Sequence, residues 1–241
     1  NKYLGAVDLT TGLSQSINTA TVQLAYNVGL QKIIKVARGL GVKTEMERNL
    51  SLALGSSEVS LLDLTTAYAG FLNLGKPVHS KGWIDLRLRY TNEILINSTS
   101  QIHSNVIGEF TSKAIILMLK KAVLNGTGQK AQVADWQIAG KTGTTQDSRD
   151  AWFVGFTSRY IVGVWIGNDD NSPLKGVVGG NLPAEICSEI MQRIHMSKPA
   201  QLPDLLLSEY EHSFGSAPAR VKNEKLDKKS GVLSTIIDFL W

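Results

Sequence analysis

A single cysteine, Cys187, in 241 residues excludes any internal disulfide, and its apolar neighbours point to a buried thiol. Histidine is scarce as well. His79, His103, His195 and His212 stand far apart without metal-ligand spacing, so no metal is expected and nothing calls for a cofactor. Asp169-Asp170-Asn171 lacks the rest of a calcium-loop pattern and reads as a turn. Long hydrophobic runs are also missing. The longest, 114–119 and 160–167, are far too short to cross a bilayer, and the chain does not open on a basic segment followed by an apolar one. The net charge of +4 is mildly basic and scattered, with no dense Lys/Arg block, so nucleic acid is not an expected partner. No internal repeat is present.

The chain does have enough apolar content, 43%, to bury one sizeable core or a large part of a bigger one. Its front half is helical in pattern. Val22, Leu24, Ala25, Ile33, Ile34 and Ala37 recur at helical spacing over 19–27 and 30–39, with Gly39 and Gly41 as the stop. Ser60 with Asp63 forms a capping box for a helix expected to run to Gly75. Residues 76–107 mix short alternating runs with polar residues and suggest a peripheral hairpin. A strong helix comes next over 111–124 and stops at Asn125-Gly126. The period then changes. Residues 136–145, 151–157 and 159–167 are β-rich runs with short turns, an antiparallel three-strand meander. Asn181 and Pro183 open a last helix that reaches about residue 195. Residues 197–230 read as a polar tail, and the apolar end, 232–241, could pack back on the domain.

Two loci carry chemistry. Ser16-Ile17-Asn18 stands just before a helix, where a serine hydroxyl can pass a proton and an asparagine amide can hold a peptide carbonyl. Alone the pattern is weak, because a plain N-cap for a helix starting at Thr19 would look the same. Lys141-Thr142-Gly143-Thr144-Thr145 is the second. A lysine at the head of an edge strand sets a cation beside the site, and two threonine hydroxyls on one strand face can hold a carboxylate. Gly143 would let a ligand backbone come close. A phosphate loop ending in Gly140-Lys141-Thr142 fails, since its first glycine falls on Asp135 and the residues after Thr142 are β-rich, not a helix start.

S-x-N and K-T-G are, in order, two of three motifs of the penicillin-interacting serine enzymes. Gly126-Thr127-Gly128, residues 139–147, Arg149 to Thr157, Ser16 to Ala25, Leu52 to Val59 and Gly179 to Ala184 together resemble the transpeptidase domain of class A penicillin-binding proteins. The resemblance covers about residues 4–196, which would be the C-terminal part of that domain, with 197–241 as a C-terminal tail. It implies an α+β fold, an antiparallel sheet flanked by helices as in serine β-lactamases, here truncated at its N-terminus. It also implies an acyl-serine D,D-transpeptidase that cross-links peptidoglycan stem peptides, a D-Ala-D-Ala donor with an amine acceptor, and that binds β-lactams. The S-x-x-K motif with the nucleophile is expected upstream of Asn1, so these residues alone would be inactive. Ser16 would relay protons, and Asn18 would hold the donor peptide. Lys141 would tune Ser16 and attract the substrate carboxylate, which Thr142 and Thr144 would bind. The Thr144 N–H would supply half of an oxyanion hole. A membrane anchor and a glycosyltransferase domain would precede this region, placing it on the periplasmic side of a bacterial inner membrane.

Two other readings share these motifs. A binding or sensor module, or a decayed pseudoenzyme, would keep the fold without an upstream S-x-x-K; a D,D-carboxypeptidase would trim stems and not cross-link them. Ser172-Pro173-Leu174-Lys175 matches S-x-x-K literally, but it lies after K-T-G in a Gly/Pro-rich loop and reads as coincidence. Glu45 to Asn49 resembles the E-x-x-L-N segment of class A β-lactamases but carries Arg48, and reads as a solvated helix start. Asp147 and Asp150 are expected to pair with Arg149 or to stabilise the turn between two strands.

Overall fold

Asp8 caps the first helix, α1 (Leu9–Ser14): its carboxylate accepts from the Thr11 N–H at 2.7 Å. The computed structural model describes residues 5–97, 104–196 and 198–202. After α1 the chain turns sharply at Ser16, whose φ of 54° lies in the left-handed region, and enters α2 (Asn18–Val28). Gly29 at φ 91° ends α2 and starts α3 (Leu30–Gly39). A 3-10 turn over Leu50–Leu54 comes later, and Asn49 caps it by accepting from the Leu52 N–H. The Glu45 to Asn49 segment is thus an irregular approach to a short turn and not the start of an α-helix.

Half of the expected capping box forms: Ser60 Oγ accepts from the Asp63 N–H at 3.0 Å and opens α4 (Leu61–Leu72), while the Asp63 carboxylate lies 3.6 Å from Lys43 Nζ and does not return a bond to Ser60. This helix stops three residues short of Gly75. That glycine sits at φ 88°, and a Cβ there would collide with the Ile107 carbonyl, so the chain must leave the helix to make this contact. The expected hairpin pairs β1 (Asp85–Arg87) with β2 (Ile94–Asn97) in antiparallel register. Helix α5 (Glu109–Leu124) begins two residues before the expected start, with Ala114, Ile116, Leu119, Ala122 and Val123 all buried.

Strands β3 (Ala139–Thr144), β4 (Asp150–Phe156) and β5 (Ile161–Gly167) form the meander in the order β3-β4-β5. Alternation sorts their side chains into two cores. Phe153 and Val164 join Val123, Cys187 and Met191 on the face covered by α6 (Leu182–Ile194). Ala139 and Phe156 join Ile116 and Leu119 of α5, with Tyr68 and Phe71 of α4, on the other. The result is a helix–sheet–helix sandwich, the α+β arrangement expected. Cys187 is fully buried, and burial pushes its thiol pKa up to about 12. Residues 198–202, at the head of the stretch read as a polar tail, lie against this core. The Ala200 carbonyl accepts from the Gln137 N–H at 2.8 Å, and Leu202 packs with Phe156. Residues 203–241, with the apolar end, fall outside the described residues.

Candidate active site

The site gathers at the K-T-G-T end of β3, which pairs only with β4 among the described residues and so leaves its other edge open. Strand alternation puts Lys141 and Gly143 on one face and Thr142 and Thr144 on the other. On the Lys141 face, the turn between α1 and α2 brings in Ser16, with its Oγ 2.8 Å from Lys141 Nζ. The ammonium also donates to the Thr142 carbonyl at 3.0 Å. No carboxylate pairs with Lys141 among the described residues, and burial pushes its pKa from the ordinary 10.5 down to about 8. A lysine so placed can exchange a proton with a hydroxyl near neutral pH.

Ser16 owes its position to its neighbours. The Thr127 N–H donates to the Ser14 carbonyl at 3.1 Å, and Gln15 Nε2 donates to the Asn125 carbonyl at 2.8 Å. The loop after α5 therefore fastens the Ser16 turn to the body of the domain. Asn18 is the first residue of α2, not a cap, and Ile17 stands at the N-cap without a side-chain bond. Asn18 is exposed and lines a groove of about 490 Å³ together with Val22, Gln23, Tyr26, Leu50 and Leu54. Among the described residues no hydrogen bond ties the Asn18 side chain to β3.

On the opposite face, Thr142 Oγ1 lies 2.7 Å from Thr127 Oγ1, and Thr144 Oγ1 accepts from the Gly179 N–H at 3.0 Å. Gly143 is closely covered on both sides: a Cβ on it would come within 3.2 Å of Trp152 Cβ, and a Cβ on Gly179 would collide with the Gly143 carbonyl. Thr127 and Gly179 were visible in the sequence only as parts of resembling blocks, with no role; their contacts to β3 cross the fold and leave no local pattern.

Beyond the strand end, Arg149 pairs with neither Asp147 nor Asp150 among the described residues, and the turn-stabilising alternative holds for Asp150, which is bonded to Thr145 across the turn. Arg149 Nη1 donates to the Asn171 carbonyl. Asp150 instead accepts from Trp165 Nε1 at 2.8 Å and from Thr145 Oγ1 at 3.2 Å. Asp147 takes φ 57° in the turn itself, and its side chain makes no hydrogen bond or ion pair among the described residues. The Ser172 hydroxyl accepts from Asn168 Nδ2 at 3.0 Å within a turn, and no lysine reaches it among the described residues, consistent with coincidence.

A helix-flanked antiparallel meander, with a serine turn held on the lysine of its edge strand, is the fold of a penicillin-binding transpeptidase domain. The chain belongs to the penicillin-binding protein transpeptidase family, whose model, described as "Penicillin binding protein transpeptidase domain", matches residues 1–192. It is 36% identical over 209 residues to penicillin-binding protein 1A of Aquifex aeolicus, covering 84% of this chain and 28% of that protein. It is 31% identical over 205 residues to penicillin-binding protein 1B of Haemophilus influenzae, covering 84% of this chain and 26% of that one. The chain thus spans under a third of the length of these relatives. Its fold is shared with the crystal structure of penicillin-binding protein 1A from Haemophilus influenzae, at TM-score 0.71, 23% identity, 82% of this chain and 36% of that one. PonA1 of Mycobacterium tuberculosis, solved in complex with penicillin V, superposes equally well, at TM-score 0.71, 20% identity, 84% of this chain and 60% of that one.

Proposed function

We propose that this chain supplies the S-x-N and K-T-G parts of a peptidoglycan D,D-transpeptidase, with the nucleophilic serine contributed by sequence outside these 241 residues. The observation that carries this reading is the 2.8 Å contact between Ser16 and Lys141, 125 positions apart, and the burial that lowers the Lys141 pKa supports it. In this reading the nucleophile attacks the carbonyl of the donor's penultimate D-Ala. The carbonyl–nitrogen bond breaks, and the departing D-Ala amine takes a proton through Ser16, which Lys141 polarises. The acceptor amine then attacks the acyl ester, forming the cross-link and returning the serine oxygen with its proton. Asn18 would steady the donor peptide, and the Thr144 N–H would face the tetrahedral oxyanion. Thr142 and Thr144 would receive the terminal carboxylate. The domain would act on the outer side of the inner membrane, where stem peptides lie.

The test is labelling of the full-length protein with a fluorescent penicillin, followed by denaturing electrophoresis. Wild type should label, Ser16→Ala and Lys141→Ala should label at least about 10²-fold more slowly, and residues 1–241 alone should not label. Unchanged labelling of both variants would overturn the assignment. Product analysis with a stem-peptide donor and an added amine separates cross-linking from mere trimming.

A further inference from the structure

The K-T-G-T strand offers two hydroxyls on one face, and the structure supplies each with a different partner from behind. Thr144 Oγ1 accepts from the Gly179 N–H at 3.0 Å. A backbone N–H can only donate, so the proton of Thr144 itself stays free to point elsewhere. Thr142 Oγ1 lies 2.7 Å from Thr127 Oγ1, and a pair of hydroxyls can bond in either direction. The two directions are not equivalent for an incoming anion. If Thr142 donates to Thr127, it presents lone pairs, which repel a carboxylate. If Thr127 donates to Thr142, the Thr142 proton is released, and both strand threonines become polarised donors along one face.

We propose that Thr127 is a positioning residue whose hydroxyl donates to Thr142 and so aims the Thr142 proton at the carboxylate of the bound ligand. This rests on the reading of the strand as a carboxylate cradle, and adds to it the residue that sets its donor direction. Thr127 is well held for the task. Its N–H is fixed on the Ser14 carbonyl, and a Cβ on Gly126 before it would collide with that same carbonyl. A Cβ on Gly180, ahead of α6, would collide with the carbonyl of Thr127. The loop is clamped between the Ser16 turn and the start of α6, so the Thr127 hydroxyl has little freedom to leave Thr142. One short segment thus braces the serine on one face of β3 and primes a threonine on the other.

The experiment compares second-order acylation rates of the full-length protein with benzylpenicillin and with its methyl ester, which lacks the anionic carboxylate. Thr127→Val should slow acylation by the free acid roughly tenfold and leave the ester within about twofold. Thr127→Ser should restore the acid rate. Thr127→Ala carries the same expectation as valine and takes its place if valine disturbs folding, as judged by circular dichroism. Equal slowing with acid and ester, or no slowing with either, overturns the role of Thr127. Thr142→Val identifies which reading has failed. If it discriminates acid from ester while the Thr127 variants do not, only the positioning role falls. If it is also indifferent, the carboxylate cradle falls, and the positioning role with it.

Discussion

In its proposed role, Lys141 would serve chemistry at the expense of stability. Burial disfavours its charged form, so at pH 7 the folded chain carries a cation it holds less comfortably than the unfolded chain does. Replacing it with methionine, of similar length and no charge, should stabilise the protein by about 1–3 kcal/mol at pH 7 while abolishing penicillin labelling. Proton counting gives the pH dependence. Between about 8 and 10.5 the unfolded lysine is protonated and the folded one is not, so wild-type stability climbs with pH in that window. The advantage of Lys141→Met in denaturant melts should therefore shrink from pH 8 upward and vanish above about 10.5. Thr144 separates side-chain from backbone roles. Thr144→Val orphans the Gly179 N–H and removes one of the proposed carboxylate donors, and should slow acylation roughly tenfold. Thr144→Pro also removes the strand N–H, and in folded protein should slow acylation at least about 10²-fold. Equal rates for the two variants would show that the N–H does not act on the oxyanion.

Helix α6 joins the sheet through His195 at its C-terminal end. The ring is buried, lies edge-on to Trp136 and Tyr160, and meets Thr157 Oγ1 at 3.0 Å through Nε2. Burial, and then the nearby Arg159, hold its pKa below the usual histidine value. The unfolded chain takes up this proton first as pH falls, so stability is full above about 6.5 and declines below it. The melting temperature should drop between pH 7 and 5, and His195→Gln should flatten that slope. Such elements differ in how much of themselves they reveal in sequence. The meander, α3, α5 and α6 were legible because each carries its own period, turn residues or caps. The α1 helix was not: Leu9–Ser14 has glycine and two threonines in six residues, and it is held by the Asp8 cap and by packing on α5. The stop of α4 depended on a contact between Gly75 and Ile107, invisible to local pattern. Within the site, K-T-G-T could be read directly, whereas the Ser16–Lys141 contact was foreseen only through resemblance. Thr127 and Gly179 drew no role, since their partners lie 15 and 35 residues away.

Taken as a whole, the molecule leaves considerable apolar surface in water. Tyr26 and Leu62 are 73% and 60% exposed beside the helical layer, and the hairpin exposes Trp83, Ile84, Leu86, Leu88 and Tyr90. A two-stranded ribbon with so many large apolar side chains outward gains little from its own pairing. Residues 1–241 alone should bind a hydrophobic dye such as ANS strongly and show low solubility, and dye binding per molecule should fall in the full-length protein. A soluble, dye-silent monomer with one sharp unfolding transition would contradict this. The link between Ser16 and Lys141 also bears on time. Closing a loop of 125 residues carries an entropic cost of about 4 kcal/mol before any constant term, whereas α5 and the β3–β4 turn close over a few residues. Reactive competence should thus be among the last properties gained during refolding. In a stopped experiment, far-UV circular dichroism should recover first, and penicillin capture should lag behind it, so that the antibiotic serves as a clock for the final docking of the α1–α2 turn onto the sheet.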